Sequence, residues 1–265
     1  MLYIHENNLI NKINTNYNGL KTELENFYKT EYIPMRNKIL NLVFSETCKD
    51  NFRIATSIFN EYYDKLVSFS KQYGIKSQSK FESTFLEEIS VYLVKDIDEI
   101  KTDKLGIFNK KIYAGLKIDG KHNIEIITKD VDFCIGKQVN ITIDNQPKTK
   151  LILPIIAVEV KTYLDATMFG EVKSSSKAIK SASPNSKTYV FMGYKCLKDE
   201  HIIAARQDAT LNEIFVLRTN EHTPMDENVI FSYWEELSSS IRTLVAENKI
   251  TVPGRLLNPD KNGRL

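Results

Sequence analysis

The chain has 265 residues, 42% of them hydrophobic and 26% charged, which fits a folded protein of one large or two small domains and excludes a disordered or fibrous chain. A net charge of +2 and a pI near 8.2 leave any nucleic-acid surface to local clusters of Lys and Arg. Cys48, Cys134 and Cys196, and likewise His5, His122, His201 and His222, are scattered without metal-ligand or C-x-x-C spacing. Neither a disulfide framework nor a zinc site is expected, and each histidine reads as a surface or satisfied core residue. The N-terminus has no basic segment followed by an apolar stretch, and the longest apolar run, Leu151 to Val158, is too short to span a bilayer. The expected location is the cytoplasm.

Asn8 to Tyr73 reads as helical, with Phe52, Ala55, Phe59, Tyr63, Leu66 and Phe69 at three- and four-residue intervals. After Gly74 a second amphipathic helix is expected over Ser79 to Val94, with Phe81, Phe85, Ile89 and Tyr92 on one face. Beyond Lys104 the period changes to two, predicting strands near Lys111 to Ile118, Asn123 to Ile127, Val131 to Ile135, Val139 to Ile143 and Leu151 to Lys161. Turn signals fall at Asp119-Gly120 and at Asp144 to Pro147. A helix over Asp165 to Ser181, strands at Thr188 to Gly193 and Glu213 to Leu217, and a helix from Val229 to Ala246 complete the order. Trp234, on that last helix, is expected to pack against the sheet. The pattern predicts an α/β (α+β) protein: a mixed central sheet flanked by helices, with a helical N-terminal segment over 1–75 and the main domain over 76–265.

The chemistry concentrates where charges interrupt apolar strands. Ile155 to Val160 is the run of a strand buried on both faces, and alternation puts Glu159 and Lys161 on one side of it. Buried charges persist only with partners; the plain alternative is that the strand ends at Val158 and both charges meet solvent. Asp132, inside the short apolar stretch Val131 to Ile135, supplies a second acid that a meander brings beside Glu159. Two carboxylates and an ammonium at one point make a hard-oxygen site suited to Mg²⁺ and to phosphodiester hydrolysis. Asp130, two residues away, is the alternative first acid.

Asp132 followed by Glu159-Val160-Lys161 at the end of an apolar strand resembles the PD-(D/E)XK nucleases. The run Ala157 to Asp165, with Thr167-Met168, Tyr189 to Met192 and Ile214 to Arg218, is similar to type II restriction endonucleases of the BbvCI and DdeI kind. The resemblance covers roughly Ser79 to Arg218. It implies a restriction-endonuclease-like core, Mg²⁺ as cofactor, double-stranded DNA as substrate, and cleavage at a short specific site. It also implies that Asp132, Glu159 and the carbonyl of Val160 hold the metal while Lys161 assists the attacking water. The Pro that precedes the first acid in the family pattern is missing here. Many such nucleases carry a further Glu on a preceding helix. At about 100° per residue Glu88 falls beside Phe81, Phe85 and Tyr92, whereas Glu87 points away, so Glu88 is the expected fourth residue; an ordinary solvated charge is the alternative.

Lys173, Lys177 and Lys180 form one basic helix stripe suited to DNA phosphates, although such stripes are commonly solvated faces. Arg206, Arg218 and Arg255 are candidates for base contacts. One such centre cuts one strand at a time, so a second subunit is implied: a homodimer, with a heterodimer as the rival. Other nucleases of the same superfamily, or a non-catalytic DNA-binding subunit, are the competing readings of function.

Overall fold

The computed structural model describes residues 2–76, 79–143, 147–208 and 210–245. Four helices open the chain: α1 (Ile4–Asn14), α2 (Lys21–Phe27), α3 (Ile33–Leu40) and α4 (Lys49–Gln72). A wide π turn, Tyr28–Tyr32, joins α2 to α3 without a break. Pro34 stands in the first turn of α3, where its missing N–H and its ring disfavour regular α-helical bonding to the preceding turn. The long α4 buries Phe52, Ala55, Phe59, Tyr62, Tyr63 and Leu66, the helical spacing read from the sequence.

Helix α5 (Ser83–Val94) differs from the others, since every residue from Thr84 to Val94 is buried. It lies between the N-terminal helices and the sheet, so it has no solvent face. A short helix α6 (Asp98–Lys101) leads to β1 (Gly106–Phe108), β2 (Ile112–Ile118), β3 (Ile124–Lys129), β4 (Phe133–Ile141) and β5 (Thr149–Leu164). Then follow α7 (Ala166–Ala182), β6 (Lys187–Lys195), α8 (Asp199–Asp208), β7 (Glu213–Val216) and α9 (Glu227–Val245).

The five-stranded sheet has the order β1-β4-β5-β6-β7; β1, β4 and β5 run antiparallel in turn, while β5, β6 and β7 are parallel. Strands β2 and β3 form a separate hairpin that packs on α7 and β5. One face of the sheet, with Val158, Val160, Tyr189, Phe191 and Phe215, shares a single core with α1 to α5 and α9. The other face, with Val190 and Met192, is covered by Phe169 and Val172 of α7 and by α8.

The expected strands at Val131 to Ile135 and Val139 to Ile143 are one continuous strand, β4. Between them Ile135 pairs with Ile156 and Gly136 with Pro154, so the extra residue Ile155 of β5 makes a bulge and β4 runs on without a turn. A Cβ on Gly136 would lie 2.3 Å from the Leu153 carbonyl oxygen, so only glycine admits this approach. Trp234 packs on Phe52 of α4, with ring centroids 5.1 Å apart, within the core that the helices share with the sheet. Tyr233 stacks on Phe191 of the sheet at 4.3 Å. The helices α6 and α8 and the strand β1 are additions to the sequence pattern. Residues 144–146, within the expected turn, and Ala246 and Arg255 lie outside the described residues. Among the described residues no helix is long and apolar enough to cross a membrane.

Candidate active site

The last paired residues of β4 and β5 are Phe133 and Val158. There β4 begins, while β5 runs on to Leu164 paired on its other side with β6. The amide of Val160 therefore faces an edge that has lost its neighbour, and the Asp132 side chain takes the vacated position. Val160 N donates to Asp132 Oδ2 at 2.9 Å. This bond satisfies a backbone donor that burial would otherwise penalise, and it fixes the carboxylate against β5.

Lys161 Nζ reaches Asp132 Oδ2 at 3.5 Å and Glu159 Oε2 at 3.2 Å. The side chains of Asp132, Glu159 and Lys161 keep 17%, 16% and 28% of their exposure, so the group is recessed but open to solvent. Ser175 of α7 donates to Glu159 Oε1 at 3.3 Å, holding the second carboxylate from the opposite side. Burial and the nearby Asp132 charge push the Glu159 carboxyl above its ordinary range, against the pull of Lys161. Burial alone would lower Lys161; Asp132 and Glu159 outweigh it and hold the ammonium above its usual value.

On α5, Glu87 is the acid turned to this group. It is 4% exposed, and its carboxyl is pushed up to about 8, first by burial and then by the Asp132 charge, with Lys80 and Lys161 opposing. Glu88, the residue expected from the helical wheel, is turned to the other side. Its carboxylate accepts from the backbone amides of His5 (2.7 Å) and Glu6 (3.2 Å) and from the hydroxyls of Tyr32 (2.7 Å) and Tyr92 (2.6 Å). It caps the start of α1 and takes no part in the Asp132 group. The wheel fails because α5 is buried on all sides, so the side nearest its phenylalanines is not the side nearest the sheet.

The structure thus brings together Asp132, Glu159 and Lys161, with Glu87 behind them, and leaves Glu88 out. Asp130, the alternative first acid, accepts from the Lys111 amide at 3.2 Å at the base of the hairpin. Lys173 lies over the Phe169 ring at 5.4 Å, and Lys177 is exposed. With Lys180 they occupy the side of α7 roughly opposite Ser175. Ser175 was missed by sequence reasoning, and Glu87 was weighed there against Glu88 and set second. Ser175 carries a faint signal as a small polar residue in register with Phe169, Val172 and Ile179 on the buried side of α7. No group of three or more His, Cys, Asp or Glu stands ready for a metal among the described residues. The donors do fit a hard divalent cation: two carboxylates held close enough to repel, both on one ammonium and partly open to solvent. A pocket of about 740 Å³ between α8 and strands β6 and β7 is lined by none of these residues.

A mixed five-stranded sheet between two helical layers, split at β4 and β5 around an acid and ammonium group, is the architecture of restriction endonucleases. The chain superposes on a solved structure described as "native BbvCI A2B2 tetramer at low resolution" with a TM-score of 0.73 and 16% identity, covering 94% of this chain and 100% of that one. A family model described as "Bpu10I restriction endonuclease" matches residues 78–243. The chain belongs to the Bpu10I restriction endonuclease family. It matches none of the curated proteins.

Proposed function

We propose that this protein is a type II restriction endonuclease that hydrolyses phosphodiester bonds at a short specific duplex site with Mg²⁺. The observation that carries the proposal is the convergence of Asp132, Glu159 and Lys161 at the point where β4 leaves β5. Asp132, Glu159 and the Val160 carbonyl would hold the cation. Bound there, Mg²⁺ makes water more acidic and offsets negative charge building on the scissile phosphate. Lys161, beside both carboxylates, is placed to orient or deprotonate the attacking water and to steady a phosphate oxygen. Ser175 fixes Glu159, and Glu87 adds a carboxyl that gains from ionising only when positive charge is nearby. Lys173, Lys177 and Lys180 are proposed as phosphate contacts along α7.

The test is to incubate the pure protein with a plasmid of known sequence in Mg²⁺ and to sequence the fragment ends. Discrete fragments sharing one terminal sequence are expected, and none from Lys161→Ala. Cutting that persists in excess chelator, or full activity in Lys161→Ala, sinks the assignment. One centre serves one strand, so two chains act together. We propose a homodimer, with a heteromer as the rival that the A2B2 composition of the superposed structure favours.

A further inference from the structure

Arg218 lies two residues past the end of β7, at the carboxyl end of the parallel strands β5, β6 and β7. Lys161 pairs with Met192 and Met192 with Val216, so Arg218 stands two strands across and two residues along from Lys161. That is roughly 12 Å over the sheet. The carboxyl ends of parallel strands are where open α/β sheets receive ligands.

The guanidinium crosses the end of β6 over Gly193, where a Cβ would meet its Nη2 at 2.9 Å. It lies 4.5 Å from the Tyr63 ring centroid and 5.8 Å from that of Tyr194. Tyr194 in turn stacks on Tyr163, the next residue after Lys161 on the same side of β5, at 6.0 Å. Arg218 is only 6% exposed, yet its bonds are long and neutral: Nη2 to the Tyr63 hydroxyl at 3.3 Å and Nη1 to the Glu221 carbonyl oxygen at 3.4 Å. Its Nε is buried without a partner. Among the described residues no carboxylate pairs with it. Glu221 offers only its main-chain oxygen, since its carboxylate stands 3.0 Å from His222.

Burying a cation without an anion is penalised more strongly than two long neutral hydrogen bonds and two tyrosine faces offset. We propose that Arg218, seated between Tyr63 and Tyr194, takes a backbone phosphate of the bound duplex at the carboxyl end of the parallel strands. This rests on the chain's acting on DNA. The two ring faces set the plane of the guanidinium in advance, so the phosphate meets an oriented pair of donors rather than a mobile side chain.

The probe is a random-sequence 30-base-pair duplex, titrated in excess chelator at 50 to 200 mM KCl by fluorescence anisotropy. The proteins are the wild type, Arg218→Gln and Arg218→Lys. Gln can still bond the Tyr63 hydroxyl and the Glu221 carbonyl, so it separates charge from packing. Loss of one phosphate contact is expected to flatten the log K against log[salt] slope by about 0.9, shrinking the wild-type advantage about 3.5-fold across this salt range. Arg218→Lys should keep the wild-type slope. A parallel NMR titration of the wild type should shift the Arg218 Nε–H signal when duplex is added, whether or not the variants fold. Weaker binding of Arg218→Gln at an unchanged slope, or an Nε–H signal that does not move, overturns the proposal. Wild-type protein with no salt-dependent affinity for the duplex overturns the DNA reading itself.

Discussion

Replacing Glu87 by Gln separates the electrostatics of the site from its shape. The Glu87 carboxyl is buried beside Asp132 and Glu159, and its folded value of about 8 stands above the ordinary 4.5. For an acid shifted upward, the folded state holds the proton more tightly than the unfolded chain. The resulting penalty is absent below pH 4.5, grows as pH rises, and is complete above pH 8. The shift of 3.5, from 4.5 to 8, sets a ceiling of about 5 kcal/mol on this penalty. Gln, neutral at every pH and of equal volume, avoids it. In chelator Glu87→Gln should match the wild type near pH 4.5 and exceed it progressively toward pH 9. A gain of about 2 kcal/mol raises Tm by roughly 4 to 8 °C in a chain of this size. Mg²⁺ should then stabilise the wild type more than the variant, because a nearby cation favours the carboxylate that only Glu87 supplies. Thermal melts at pH 5, 7 and 9, with and without Mg²⁺, provide the measurement. A stability difference between variant and wild type that does not change with pH refutes the placement of Glu87 among the site acids.

Three further outcomes are expected. Glu88→Ala should lower stability by about 3 kcal/mol or more, since it strands buried donors of α1 and two tyrosines, whereas Glu88→Gln, which can accept from the amides and donate to the hydroxyls, should recover most of it; equal denaturation midpoints for all three proteins would contradict the capping role. His5, whose ring sits between the Tyr62 hydroxyl (2.7 Å) and Thr84 Oγ1 (3.0 Å), is held down to about 3 by burial. It contributes stability that is complete above pH 6.5 and is lost as pH falls toward 3, so its NMR signals should show a neutral ring at pH 5, and a ring titrating near 6.5 would refute this. Supercoiled plasmid treated with the pure protein should become linear, and a one-to-one mixture with Lys161→Ala should add nicked circles; a pure protein that only nicks, or is inert until another polypeptide is added, identifies it as half of a heteromer.

The residues that bind the fold to the chemistry were legible in the sequence to different degrees. The convergence of Asp132, Glu159 and Lys161 was legible because each is a charge set in or beside an apolar strand, and strand alternation holds even where pairing changes. The join of two expected strands into β4 was not, because the pairing of Gly136 with Pro154 that carries the strand through is a contact across the sheet. Glu87 was hidden by the same burial that makes it interesting. A helical wheel assigns faces by contrast between apolar and polar sides, and α5 has buried residues all round. Arg218 carried no signal of its setting, since its burial depends on Gly193 and Tyr63, distant in sequence and brought beside it by the sheet and α4.

Helix α5 is the wall shared by the N-terminal helices and the sheet, and its two adjacent acids, about 100° apart around the axis, serve different neighbours. Glu88 binds the start of α1 and Tyr32 with three hydrogen bonds that its own helix does not supply, while Glu87 looks toward Asp132. These bonds resist rotation of α5 about its axis. A turn of about 10° moves a carboxyl some 6 Å from the axis by about 1 Å, twice the tolerance of a working site. By holding Glu88 the N-terminal helices fix the angle at which α5 presents Glu87 toward Asp132. His5, bonded to both Tyr62 of α4 and Thr84 of α5, extends that restraint to the longest helix of the cap.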